Sequence, residues 1–209
     1  MRIIIIIFSI LFFLVIGCKK DDLIVNPAAF KVIIPIAVGS RWDYTLNVYD
    51  STGIQQAANT VSYNITKDTI INFSRWYKYS EIITNSQTQS SEFFCANTSS
   101  GFYSIKNSVP FLIFKYPASI HDSYYVNNVI NYLHIISIDT SITISLGTFH
   151  CYAFDSYQQF YPNMLGGSYE IMYVSPEIGI VKTEIYASFQ IGKKQFLWAS
   201  AELTSAELK

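Results

Sequence analysis

The sequence predicts an all-β chain: a single antiparallel sheet, curved as a meander, an open barrel or a sandwich, behind an N-terminal leader and a short tether. Three observations carry this. Hydrophobic residues make up 50% of the chain and aromatic residues 16%, with 16 Tyr and 15 Phe. Aromatic and β-branched side chains suit a pleated, half-buried surface. Short segments alternate apolar and polar residues with a period of two, and few show the 3.6-residue apolar period of a helix. Turn-forming clusters separate these segments at the spacing of an all-β sandwich or barrel.

The first element is not a strand. Ile3 to Ile16 is apolar except for Ser9. As a helix this run would measure about 21 Å, short of the ~20 residues a bilayer core requires. It fits the apolar region of a secretory leader, oriented by Arg2. The run ends in Val15-Ile16-Gly17-Cys18, followed at once by Lys19-Lys20-Asp21-Asp22. Val-Ile-Gly-Cys resembles the bacterial lipobox. That resemblance implies a thioether-linked diacylglycerol on Cys18, cleavage of residues 1–17 and acylation of the new amine. One acyl chain gives marginal anchoring and two or three give stable anchoring. The Lys-Asp-Asp cluster resembles the export tag of Bacteroidota surface lipoproteins. It implies an outer-membrane protein at the cell surface, the plainer reading being a solvated tether facing the periplasm.

Residues 18–31 read as lipidated cysteine and tether, and residues 32–209 as a single β-rich domain. Trp42, Tyr44, Leu46 and Val48 alternate with Asp43, Thr45, Asn47 and Tyr49, a half-buried strand. Asp50-Ser51-Thr52-Gly53 is a turn. Val61, Tyr63 and Ile65 mark a second strand. Further strands are expected at 69–73, 75–84, 92–96, 102–106, 109–116, 123–127, 132–138, 141–146, 148–157, 169–174, 179–189 and 194–203. Turns fall at 97–101, 146–147 and 175–179, with a hairpin loop at 85–91.

Four segments, "PIAVGSRWDY", "FLIFKYPASIHDSY", "ITISLGTFHCYAF" and "YVSPEIGIVKTE", occur in this order. Together they resemble an uncharacterised family of Bacteroidota outer-membrane lipoproteins with Pro-x-x-x-Gly-x-x-Trp-x-Tyr, Gly-Thr-Phe and Gly-Ile-Val-Lys motifs. The chain departs from that pattern at Ile36 and at Ser175-Pro176-Glu177. The resemblance implies a curved antiparallel sheet, like the open barrels of lipoprotein-carrier domains, and no known reaction.

Candidate chemistry is sparse. The formal net charge is −1, with no basic patch, which excludes a phosphate footprint and with it nucleic acid. His121, His134 and His150 form no His-x-x-x-His pair. His134 and His150 are placed to approach across strands, but zinc takes three or four ligands and carboxylates nearby are few. His121-Asp122-Ser123 has the residue types of a triad in an order that cannot align them. Glu170, Glu177 and Glu184 lie seven apart, a carboxylate set of the kind glycosidases pair, or simply solvated faces and a turn. Tyr152, Phe154, Tyr157, Phe160, Tyr161, Tyr169 and Tyr173 form an aromatic-dense stretch, suited to stacking a sugar or to filling a core. Phe160 to Leu165, flanked by Gly166-Gly167, is a lid candidate. Asp50-Ser51-Thr52 and Asp68-Thr69-Ile70 resemble Bacteroidota O-glycosylation sites, with Ser51 and Thr69 as acceptors.

Cys95 and Cys151 remain once Cys18 is acylated. In an oxidising compartment they read either as a disulfide closing a loop of ~55 residues, worth roughly 4 kcal/mol, or as two buried thiols. No cofactor and no metal is expected. The composition therefore favours a non-enzymatic binding or structural module whose partners are the membrane, through its anchor, and a glycan or hydrophobic ligand. A carrier of a hydrophobic ligand in a concave sheet is the second reading, and a hydrolase the third.

Overall fold

A computed structural model describes residues 32–84, 89–106, 108–126, 131–158, 167–188 and 194–209. Its elements are twelve strands: β1 (Arg41–Tyr49), β2 (Gln55–Ile71), β3 (Ser74–Thr84), β4 (Gln89–Thr98), β5 (Gly101–Lys106), β6 (Val109–Lys115), β7 (Ser123–Val126), β8 (Asn131–Ile144), β9 (Gly147–Gln158), β10 (Ser168–Ser175), β11 (Gly179–Ala187) and β12 (Phe196–Glu207). They form one antiparallel sheet in the order β6-β5-β4-β3-β2-β1-β12-β11-β10-β9-β8-β7. Every neighbour in space is a neighbour in sequence except the β1–β12 pair. The sheet curls into a nearly closed barrel, so the all-β meander expected from the alternation is the observed fold.

Two different joints shape the ring. β1 and β12 are zipped by a backbone ladder from Arg41↔Glu207 to Val48↔Ala199. The outer strands β6 and β7 meet through side chains instead. Tyr124 Oη donates to Ile113 O at 2.8 Å and accepts from Lys115 N at 3.0 Å, and Lys115 Nζ lies 2.8 Å from Asp122.

Two predicted breaks are bulges. The segments at 61–66 and 69–73 belong to one strand, β2, whose register shifts between Ile65 and Lys67. The segments at 132–138 and 141–146 are likewise one strand, β8, with shifts between Ile135 and Thr140. An extra residue interrupts the apolar alternation while the strand continues.

The segment that enters β1 plugs one end of the ring, here called the tether end. Ile33 and Ile34 are buried under Trp42, Phe114, Val174, Val181 and Leu203. Trp42 Nε1 donates to Ile178 O at 2.7 Å, and Tyr44 Oη to Ile180 O at 2.8 Å. Glu177 N donates to Val32 O and Asn97 Nδ2 to Ile34 O. These bonds satisfy the polar tips of large side chains whose bodies fill the core. Gly179 sits at φ +103, and a Cβ there would stand 3.5 Å from both Ile34 and Trp42. The left-handed backbone, rather than space, requires glycine.

Cys95 on β4 and Cys151 on β9 are buried and free. Their strands are not neighbours in the sheet. Cys95 Sγ donates to Tyr77 O and Cys151 Sγ to Phe149 O. Burial pushes both thiols up to about 12, which makes them packing groups rather than nucleophiles.

Candidate functional site

Opposite the plug, the Asp50–Gly53 turn marks the other end of the ring. Asp50 Oδ1 accepts from Thr52 N, Thr52 Oγ1 and Ile54 N, which fixes that turn. Toward this end the inward rows become more exposed. On β1, Trp42 and Tyr44 are buried, while Leu46 and Val48 are half-buried. On β10, Val174 is buried and Met172 and Glu170 are half-buried. On β3, Tyr79 is buried and Glu81 and Ile83 are half-buried. On these three strands the inward row is buried toward the tether end and half-buried toward the other, while Leu133 on β8 and Ala199 on β12 remain buried at that level.

An aromatic ladder runs across the inner face between the two. Tyr44 meets Tyr63 edge-on at 5.5 Å, Tyr63 meets Tyr79 at 5.3 Å, and Tyr79 stacks on Phe93 at 4.7 Å. Successive strands place these rings side by side, at separations favourable for aromatic pairs.

Two carboxylates border this ladder. Tyr63 and Glu81 are directly opposite on β2 and β3. Tyr63 Oη donates to Glu81 Oε1 at 2.9 Å, and Ser91 Oγ donates to Glu81 Oε2 at 2.6 Å. Glu170 lies on the inward row of β10, opposite Ser156 and Ile185. Burial pushes its carboxyl up to about 7. The Tyr63 hydroxyl is raised by its own burial and then by the charges of Glu81 and Glu170. Tyr63 is thus hydrogen-bonded to one inward acid, Glu81, and feels the charge of a second, Glu170. The arrangement offers hydrogen-bond acceptors beside aromatic rings.

The residues singled out from sequence disperse. Glu170 faces inward, whereas Glu177 is in the exposed turn after β10 at φ +69. Glu184 lies on the outer face, accepting from Tyr173 and Tyr186 and paired with Lys182. The three do not converge. His134 and His150 do not approach each other as a pair: His134 stacks on His121 at 5.9 Å, and His150 Nδ1 pairs with Asp139 at 2.7 Å. His134 is also opposite Asp155. Burial raises the Asp155 carboxyl, and its Oδ1 has no hydrogen-bond partner. No group of three or more metal-ligating side chains occurs among the described residues. Ser123 Oγ donates to the His121 carbonyl and Asp122 binds Ser119 N, so these three are a turn and not a triad.

In the aromatic stretch, Tyr152 and Phe154 point inward, and Tyr169 stacks on Tyr186 outside at 4.7 Å. Ser51 is exposed in the β1–β2 turn and Thr69 is half-buried on β2. Cys18, the tether and the lid candidate Phe160 to Leu165 lie outside the described residues.

No family model matches the chain, and no curated protein matches it. Two solved structures share its fold. One is a protein from Bacteroides fragilis assigned as exported, with a YmcC-like fold: the TM-score is 0.62 at 11% identity, over 85% of this chain and 100% of that one. The other is a protein from Parabacteroides distasonis assigned as a lipoprotein: the TM-score is 0.57 at 16% identity, over 85% of this chain and 99% of that one. At these identities the likeness is one of fold.

Proposed function

We propose that the chain is a lipid-anchored module of the outer membrane that binds a hydroxyl-rich ligand of glycan type in the open half of its barrel, without converting it. The observation that carries this reading is the Tyr63–Glu81 hydrogen bond beside the aromatic ladder of the inner face, with Glu170 on the inward row of β10. Carboxylates accept hydrogen bonds from hydroxyl groups, and aromatic rings cover the apolar face of a sugar. A lipid tail offers no hydrogen-bond donor to a carboxylate, whereas a sugar hydroxyl does. That argument sets the carrier reading second, even with Leu46, Ile83 and Met172 nearby.

The anchor and address rest on other evidence. Val15-Ile16-Gly17-Cys18 supports lipidation of Cys18, and Lys19 to Asp22 supports surface display. The assignments of the two similar structures, one exported and one a lipoprotein, point the same way and name no reaction.

The test is binding of the native chain on a glycan array, followed by titration of the best hit against Glu81→Gln. A hydrogen bond to a charged group is worth about 1.5–3 kcal/mol, so roughly tenfold weaker binding or more is expected. Organic extraction that yields stoichiometric co-purifying lipid would favour the carrier. Turnover of a glycoside that is abolished by Glu170→Gln would replace both readings with a hydrolase. For the anchor, labelling with a clickable fatty acid is expected in the native chain and absent in Cys18→Ala.

A further inference from the structure

Two hairpins reach past the rest of the sheet at the tether end. β2 continues to Ile71, although its pairing with β1 begins at Asn64. β9 begins at Gly147, although its pairing with β10 stops at Tyr152. At about 3.4 Å per residue the first overhang is on the order of 20 Å. In the strand order the β2–β3 and β8–β9 hairpins lie six positions apart in a ring of twelve, on opposite sides of the barrel.

Each tip carries exposed apolar side chains among polar ones. Phe73 is 103% exposed and Ile70 is 63% exposed on one, and Leu146 is 47% exposed on the other. Ile120 and Val38, at the same end, are exposed by 50% and 48%. The β2–β3 turn has two residues, Asn72 at φ 50 and Phe73 at φ 62. Positive φ at both positions is the type I′ pattern, whose second place is normally glycine. A bulky aromatic ring in the left-handed region is a genuine outlier. The ring is fully in solvent.

We infer that these two hairpins are feet that seat the barrel on the lipid bilayer, with Phe73 entering the headgroup boundary. The occupant follows from the chain itself. Val32 is held at the tether end by Glu177. The stretch from Cys18 to Val32 spans at most about 50 Å when fully extended, longer than the overhang it must pass. An acylated Cys18 therefore holds this end toward the membrane, and the tips are the first groups to meet it. Aromatic residues favour the interface between headgroups and acyl chains. Seated this way, the open half of the barrel points away from the bilayer. The inference rests on the anchor reading for its geometry.

The experiment places an environment-sensitive fluorophore on Phe73→Cys, or on Ile54→Cys at the opposite end, in the full chain. The chain is held in vesicles of phosphatidylethanolamine and phosphatidylglycerol, and the labelled parent serves as blank. Expected are a blue shift and quenching by bromolipids at position 73, and neither at 54. Equal, water-like emission at both positions overturns the feet, even where intact mass shows diacylglycerol on Cys18. Where mass shows Cys18 unmodified, the anchor reading falls alone. The released chain must then still give the blue shift when vesicles are added, or the feet fall too. A shift at 73 that needs no lipid and grows with protein concentration assigns the tips to a second copy and also overturns the proposal.

Discussion

The tether end and the open end are built from the same strands, yet they differ in what closes them. At the tether end, Trp42, Val174, Val181 and Leu203 are at most 1% exposed. Further along those strands, Val48, Met172, Ile185 and Ala201 are half-buried, although Ala199, opposite Val48, is 2% exposed. Strand composition does not explain this, since both sets are apolar. The difference is the plug: Ile33, Ile34 and the Trp42–Ile178 and Tyr44–Ile180 hydrogen bonds cap one end. The plug thus adds burial where the chain enters the barrel, and toward the other end polar groups such as Glu81 and Glu170 join the inward rows.

Truncation of the inward row at each end has the largest expected effect. Trp42→Ala is expected to cost about 3–5 kcal/mol, as large-to-small core changes do. Leu46→Ala, two residues along the same inward row, should cost only about 1–2 kcal/mol because less of the side chain is removed from water. Urea unfolding of the two variants measures this, and equal losses would mean that both halves are core.

Next in size is the pH response of Glu170. Its folded-state carboxyl is pushed up to about 7 from 4.5, so the folded chain holds the proton more tightly than the unfolded chain. The associated stability is fully present below pH 4.5 and is lost as the pH rises through 7. Glu170→Gln removes that loss. It should leave stability little changed at pH 4 and raise it at pH 8 by as much as ~3 kcal/mol, a pKa unit being worth 1.36. Thermal melts across this range give the answer, and a flat difference would place Glu170 in water.

Smaller again is Phe73→Gly. A non-glycine residue in the left-handed region costs roughly 1–2 kcal/mol, and the ring makes no contact that offsets this. The variant should gain about 1 kcal/mol in chemical denaturation while losing the bilayer contact. The smallest effect expected is that of Asp139→Asn. The Asp139 and His150 side chains are 73% and 76% exposed, so their pair should contribute under about 1 kcal/mol and fade with salt.

The barrel wall was legible in the sequence, and its lining was not. Alternation at Trp42 to Tyr49 named the strand and its buried face correctly. Where a bulge shifted the alternation, at Ile65–Lys67 and around Asp139, one strand read as two. The role of Glu81 depends on register: nothing in Ser80-Glu81-Ile82-Ile83 says which face turns inward, or that Tyr63 stands opposite. Glu170 stands out in the sequence only through its spacing. A spacing of seven groups it with Glu177 and Glu184, but strand side chains repeat every two residues, and a turn intervenes. The anchoring signals, by contrast, are local in the chain and can be read without any fold.

The β1–β12 ladder also has a consequence for the order of events. Thr204 bonds Asp43 across 161 residues of chain. Every other ladder joins strands adjacent in sequence and can form as soon as each hairpin is available. The closing pair must wait for the last strand and find its register against the first. The entropic penalty of closing such a loop grows only logarithmically with its length, but contacts this distant place β-rich chains among the slow folders. Until β12 arrives, β1 presents an unpaired edge of the kind that invites pairing with another chain. A chain that crosses a membrane N-terminus first would carry that edge open throughout its export. Pairing of β12 is then the step that covers this edge.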